Sequence, residues 1–183
     1  MLLKDISFVI PVYNRPNEID ELLKSFSRLE GDKDFEIVII EDGSTEKCDH
    51  IVKSFSDLNI SYHLKSNSGP GDSRNYGMSV AKGKYYVILD SDVILPVNYN
   101  VLLIENLTND FSDCFGGVDD SHQSFNNFQK AVSYSMTSFI TTGHIRGGSK
   151  SKDFQPRSFN MGISKEAFPV SYTHLTLPTS PKV

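Results

Sequence analysis

The chain has 183 residues, 38% hydrophobic and 22% charged, a balance that fits one soluble domain with a buried core and excludes a disordered polymer. Its net charge of -5 argues against a nucleic-acid partner, because phosphate backbones recruit basic surfaces, yet leaves room for an anionic ligand held through a metal ion or helix N-termini. The longest apolar runs, residues 37–40 and 85–89, fall well short of the ~20 needed to span a bilayer. No signal peptide is visible ahead of the first strand, and the two distant cysteines, Cys48 and Cys114, give neither a disulfide framework nor metal-ligand spacing. A cytoplasmic setting is expected.

Along the chain, the β-branched run 6–12 (ISFVIPV) is a strand closed by Pro11. After Asn14-Arg15-Pro16, the apolar positions Ile19, Leu22, Leu23 and Phe26 follow one helical face, with Asn17 as the expected N-cap and acidic Glu18, Asp20 and Glu21 in the first turn. Residues 35–40 (FEIVII) form a second strand, almost continuously apolar and therefore covered on both faces. Glu41-Asp42-Gly43-Ser44 then turns into a helix with core positions Cys48, Ile51, Val52 and Phe55. A weaker third strand covers 60–64, a tight Gly69-Pro70-Gly71-Asp72 loop leads to a helix over 73–81, and 85–89 (YYVIL) is a fourth buried strand. This alternation predicts a parallel sheet covered by helices, with any ligand outside the carboxyl ends of the strands. Further on, 113–118 and 157–163 read as strands, and Phe125, Phe128, Val132, Met136 and Phe139 mark an amphipathic helix between them. Residues 141–153 read as a Gly-, Ser- and Lys-rich loop.

The polar residues cluster where a parallel sheet places its ligand. Tyr13-Asn14-Arg15 follows the first strand, Glu41-Asp42-Gly43 the second and Asp90-Ser91-Asp92 the fourth. Two carboxylates one residue apart at a strand end repel each other, and a hard cation, Mn2+ or Mg2+, resolves that conflict while leaving positions open to phosphate oxygens. Such an ion stabilises charge building on a departing diphosphate. Asp42 offers acceptors to a base imide or to ribose hydroxyls, and Gly43 lets the backbone come close, although Asp42 or Ser44 serves equally as a cap for the next helix. Arg74 falls in the first turn of the third helix, placed to pair with phosphate or with Asp90.

Taken together, the segments 7–16 (SFVIPVYNRP), 38–45 (VIIEDGST), 67–75 (NSGPGDSRN) and 89–93 (LDSDV) resemble, in order and spacing, family 2 of the inverting glycosyltransferases. The resemblance runs from Ile6 to about Phe168 and is tightest over the first ninety residues. It implies an α/β GT-A fold, a Rossmann-like, mostly parallel sheet with flanking helices, over 1–168. It also implies that Pro11 and Tyr13 line the base pocket, with Asn14, Arg15, Gly69 and Ser91 contributing to the nucleotide-sugar site. By the same resemblance Asp42 is expected to bind the base, Arg74 to hold the nucleotide, Asp90 to bind ribose and approach the metal, and Asp92 to coordinate the metal. The implied donor is a nucleotide-diphospho-sugar, most often UDP-linked, and the acceptor a saccharide or lipid-linked saccharide hydroxyl. The usual setting is bacterial polysaccharide assembly. Members of the family often sit at the inner membrane face, so peripheral membrane association of the full-length protein is part of the expectation.

Inversion needs a base opposite the leaving group. The resemblance implies an aspartate, usually in a Glu-Asp pair, after the segment matching 160–168 (NMGISKEAF). Here that region reads SYTHLTLPTSPKV from Ser171, with neither Asp nor Glu, and 169–183 is expected to be a non-native or disordered tail that leaves the domain short of its base. The catalytic base is therefore unassigned, and a nucleotide-sugar-binding module without turnover is the alternative reading. Asp119-Asp120 reads as a solvated turn and His144 as a solvated loop residue. A receiver-like domain is disfavoured because no Lys-Pro follows a late apolar strand, and a nucleotidyltransferase because Tyr13-Asn14-Arg15-Pro16 lacks a Gly-rich phosphate loop.

Overall fold

A computed structural model describes residues 1–116 and 160–171. Its centre is a six-stranded sheet, made of β1 (Ile6–Val12), β2 (Glu36–Asp42), β3 (Ile60–Lys65), β4 (Tyr85–Ile88), β5 (Cys114–Gly116) and β6 (Met161–Ser164), in the spatial order β3-β2-β1-β4-β6-β5. The first four strands are parallel, with Ser7 opposite Glu36, Ile37 opposite Ile60 and Ile6 opposite Tyr85. β6 runs antiparallel to β4, with Tyr85 opposite Ser164, and β5 is antiparallel to β6. The expected mostly parallel α/β sheet is present.

Strand alternation divides the core in two. Phe8, Ile10, Val12, Ile37, Ile39, Tyr85, Val87 and Leu89 face one side, where α1 (Pro16–Ser27) buries Ile19, Leu22, Leu23 and Phe26 and α4 (Tyr99–Asn109) buries Leu103 and Leu107. Each such side chain, fully buried, contributes about 1.5–3 kcal/mol of transfer free energy. Phe8 is the hub, with ring centroids 5.0 Å from Phe26 and 5.1 Å from Phe35, both edge-on. Val9, Val38, Ile40, Tyr86 and Ile88 face the other side together with Met161 and Ile163 of β6, under α3 (Pro70–Val80). A Cβ on Gly77 would lie 2.4 Å from Val9 Cγ1, so only glycine lets α3 sit this close to β1.

Several elements differ from the sequence expectation. α1 begins at Pro16 and its N-cap is Arg15, because proline at the first helical position has its φ preset and no amide to satisfy; Asn17 lies inside the helix. The second helix is a single turn, α2 (Asp49–Val52), and the chain leaves it through Ser54 N–H to Ile51 O and Phe55 N–H to Val52 O, bonds three residues apart. α3 starts at Pro70, which puts Arg74 in its second turn and not its first. β1, by contrast, covers Ile6–Val12 as expected, and Pro11 within it is tolerated because β4 stops pairing with β1 at Val9. α4 was not expected at all. The late strands are short, and the last, which expectation placed at 157–163, covers Met161–Ser164 and is followed by one turn, α5 (Phe168–Ser171). Asp119, Asp120, His144, the amphipathic stretch from Phe125 to Phe139, the loop 141–153 and the tail from residue 172 lie outside the described residues.

Candidate functional site

The carboxyl ends of β1, β2 and β4 bring the predicted polar residues together. Arg74, on α3, places Nη2 2.7 Å from Asp90 Oδ1, and Arg15, at the start of α1, places Nη1 3.0 Å from Asp92 Oδ2. Each aspartate thus gives one oxygen to an arginine and keeps the other without a protein partner among the described residues. Asp92 is the more open, its side chain 57% exposed against 35% for Asp90. Ser91 between them is buried.

Asp42 is enclosed at this rim, 3% exposed. Its Oδ1 accepts from Lys65 Nζ at 2.7 Å and from the Ser68 amide at 3.0 Å, and its Oδ2 accepts from the Gly69 amide at 2.9 Å. Burial alone would raise its pKa, but the Lys65 ammonium and the two amides outweigh burial and hold the carboxyl below the usual range. The lysine responds in kind: burial works against its charge, yet Asp42 and Asp72, the latter 3.1 Å away, raise its pKa. Gly43 has φ +72°, and a Cβ there would lie 2.6 Å from the Asn67 amide nitrogen, so the loop after β3 folds directly against the backbone after β2. Asn67 Nδ2 donates to the Asp42 carbonyl at 2.9 Å and completes that clasp.

A second network ties β1 to β2. Asn14 sits at φ +53°, its amide donates to Ser44 Oγ at 2.7 Å, and its Oδ1 accepts from the amides of Thr45 at 2.8 Å and Glu46 at 3.1 Å. Ser44 in turn donates to Glu41, which also accepts from the Cys48 amide at 2.9 Å and Tyr62 Oη at 2.8 Å. Glu41 is 1% exposed and faces inward, so its part is to fix the two exit loops. Pro11 is buried within β1, whereas Tyr13 is 51% exposed on the rim. Gly69, at φ +92°, is the N-cap of α3. An open groove of about 470 Å³ lies along the β2–β3 side of this rim, lined by Gly43, Ser44, Lys47, Leu64, Lys65 and Ser66.

Lys65 is the residue that sequence reasoning passed over. Its signal was a lone cation closing the third strand, at the same end as the acidic residues. No residue of this chain is assigned to the implied catalytic base, since the sequence after Phe168 contains neither Asp nor Glu.

Residues 7–168 match the family model described as glycosyl transferase family 2. The chain belongs to that family. Among family members, an uncharacterized glycosyltransferase of Rickettsia conorii is 46% identical over 88 residues, 48% of this chain and 14% of that protein. Glycosyltransferase GlyA of Streptococcus pneumoniae is 33% identical over 129 residues, 69% of this chain and 18% of its own length. This chain therefore spans less than a fifth of either relative. The crystal structure of Staphylococcus aureus TarS residues 1–349 superposes with a TM-score of 0.61 and 26% identity, over 67% of this chain and 37% of that one, and a further TarS structure contains UDP-GlcNAc. The family and its GT-A-like fold are the ones that the motifs around Tyr13, Asp42, Arg74 and Asp90 implied.

Proposed function

We propose that this chain carries the donor site of a glycosyltransferase that moves a sugar from a nucleotide-diphospho-sugar, UDP-linked by preference, to an acceptor hydroxyl with inversion. The observation that carries the reading is the meeting of Asp90 and Asp92 with Arg74 and Arg15 on the rim that also bears Asp42. TarS, named a poly(ribitol-phosphate) N-acetylglucosaminyltransferase, supports the donor class through its UDP-GlcNAc complex.

In this reading Tyr13 and Pro11 flank the base. Asp42, held by Lys65 and two amides, accepts the base's imide N–H through remaining lone pairs. Arg74, fixed by Asp90, faces phosphate oxygens, and Asp90 also meets ribose. The donor set for a cation fits Mn2+ or Mg2+: hard oxygens, one on each of Asp90 and Asp92 without a protein partner among the described residues, with phosphates and water expected to complete the shell. Among the described residues no cluster of three or more His, Cys, Asp or Glu exists, which suits an ion held by one or two carboxylates plus substrate phosphates. When bound, such an ion neutralises the diphosphate leaving group. The acceptor is a saccharide or lipid-linked saccharide of a bacterial surface polymer, and the site of action the cytoplasm or the membrane's inner face; among the described residues no helix is long and apolar enough to cross a membrane.

Calorimetric titration of UDP with and without Mn2+, beside a UDP-release assay, tests the reading. Metal-dependent binding with release on a UDP-sugar supports transfer, and metal-dependent binding without release supports a binding module. No UDP binding, together with an Asp92→Ala variant that changes nothing, would remove the donor-site assignment.

A further inference from the structure

Arg15 breaks a local rule. It stands at the N-cap of α1 and makes no capping hydrogen bond. Ser, Thr, Asp or Asn is favoured there, and a cation is disfavoured by the partial positive charge of the helix N-terminus. The guanidinium instead reaches a residue 77 positions away, Asp92. Departures from local preference that carry no stability gain concentrate at functional positions.

The main chain beneath Arg15 is held by several hydrogen bonds, while its side chain stands half exposed on a single ion pair among the described residues. Asn14 is pinned by Ser44, Thr45 and Glu46, and the Arg15 carbonyl accepts from the Ile19 amide at 3.2 Å. The Arg15 side chain is 49% exposed and its partner 57%, against 14% and 35% for Arg74 and Asp90. An exposed pair is weakly held and exchanges partners at little cost, whereas a half-buried pair resists separation. The two arginines therefore do different work on the two aspartates.

Resting on the donor-site reading above, we propose that Arg15 is an exchangeable counter-ion, which neutralises Asp92 in the open site and turns to the donor's diphosphate once Asp92 is committed to a divalent cation. Arg74 stays on Asp90 throughout. Arg15 would then oppose metal binding by the empty site and favour nucleotide binding by the loaded one. An arginine with a purely structural role would move both affinities in the same direction or leave both alone.

The test uses the full 183-residue chain with Arg15→Gln and Arg15→Lys. Mn2+ alone is titrated and read from the loss of the free-ion electron-paramagnetic-resonance signal, and UDP is titrated at saturating Mn2+. Arg15→Gln should bind Mn2+ about fivefold more tightly, the exposed pair's competition having been removed. The same variant should bind UDP about tenfold more weakly, one charge-assisted contact having been lost. Arg15→Lys should restore part of each change. The proposal is overturned if Arg15→Gln leaves Mn2+ affinity unchanged or lowers it while the wild type binds UDP with Mn2+. If the wild type binds no UDP at any Mn2+ concentration, the donor-site reading itself falls and this inference with it. Melting curves of each variant confirm that the folded protein is being compared.

Discussion

The two ends of the central sheet handle buried charge in different ways. Where the parallel strands begin, Glu36 is 6% exposed and surrounded mainly by neutral donors: Ser7 Oγ at 2.7 Å, the Lys82 amide at 2.8 Å and Ser61 Oγ at 3.1 Å. Burial would raise its pKa, but those donors outweigh burial and keep it below the usual range. Ser7 itself accepts from the Gly83 amide at 2.9 Å, so the network closes on itself. Where the strands end, Asp90 and Asp92 are partly exposed, pair with the Arg74 and Arg15 guanidinium groups and each keep one oxygen free of protein contacts among the described residues. A charge whose donors are all satisfied from within stabilises a fold. One left half-satisfied at an open rim is available to a ligand.

That contrast can be broken from either side. Glu36→Ala should produce the largest loss of stability, about 4 kcal/mol, because it strands the Ser7 hydroxyl and the Lys82 amide in the interior. A fall in Tm of about 12 °C by calorimetry, with UDP affinity of the folded protein unchanged, is the expected result. Asp92→Asn should do the opposite. Metal-dependent UDP binding should weaken about a hundredfold, or roughly 2.7 kcal/mol, while Tm moves by no more than about 1 °C; a large fall in Tm would place Asp92 with Glu36 as a structural charge.

Acid unfolding sharpens the comparison further. The folded pKa values of Glu36 and Asp42 are depressed, so each contributes stability that is fully present above its unfolded value and lost as pH falls through the folded one. With ordinary values of about 4.3 for Glu and 3.9 for Asp, the loss should begin near pH 4.5 and deepen below it. Glu36→Gln and Asp42→Asn should each be less stable than the wild type at pH 7, with the deficit narrowing as pH approaches 3 in urea titrations. The smallest effect is expected at an ion pair outside both ends. Lys24 and Asp20 meet on the exposed face of α1, four residues apart, and Lys24→Ala should cost less than about 0.5 kcal/mol.

Much of this was legible from periodicity and position. The first four strands, the α1 face from Ile19 to Phe26 and the acidic strand ends all follow from alternation of strand and helix, with ligand residues at carboxyl ends. The losses have particular causes. α4 escaped notice because Val101, Leu102, Leu103 and Ile104 run together without a helical period; only Asn100, Leu103 and Leu107 are buried, and the Asn100 amide holds the Glu30 and Asp32 carbonyls at 2.8 and 2.9 Å. For α2, Cys48 and Phe55 bracket an apolar set that predicts a longer helix, whereas Cys48 is drawn inward to Glu41 and the helix ends after one turn. The insertion of β6 between β4 and β5 depends on pairing between strands of four and three residues far apart in sequence, which no local pattern encodes. At the site, motif reading found both aspartates and Arg74 but not Lys65, whose meaning comes only from the fold bringing strand ends together.

The close seat of Gly77 on Val9 bears on chemistry that neither residue touches. Arg74 lies three residues earlier on the same helix, so the height of α3 above the sheet fixes how far its guanidinium reaches toward Asp90. The missing methyl group at position 77 works as a shim left out on purpose. Add that methyl group and the helix must lift off Val9, carrying its arginine away from the carboxylate, so an alignment in the cleft is set by a tight contact one turn down the helix.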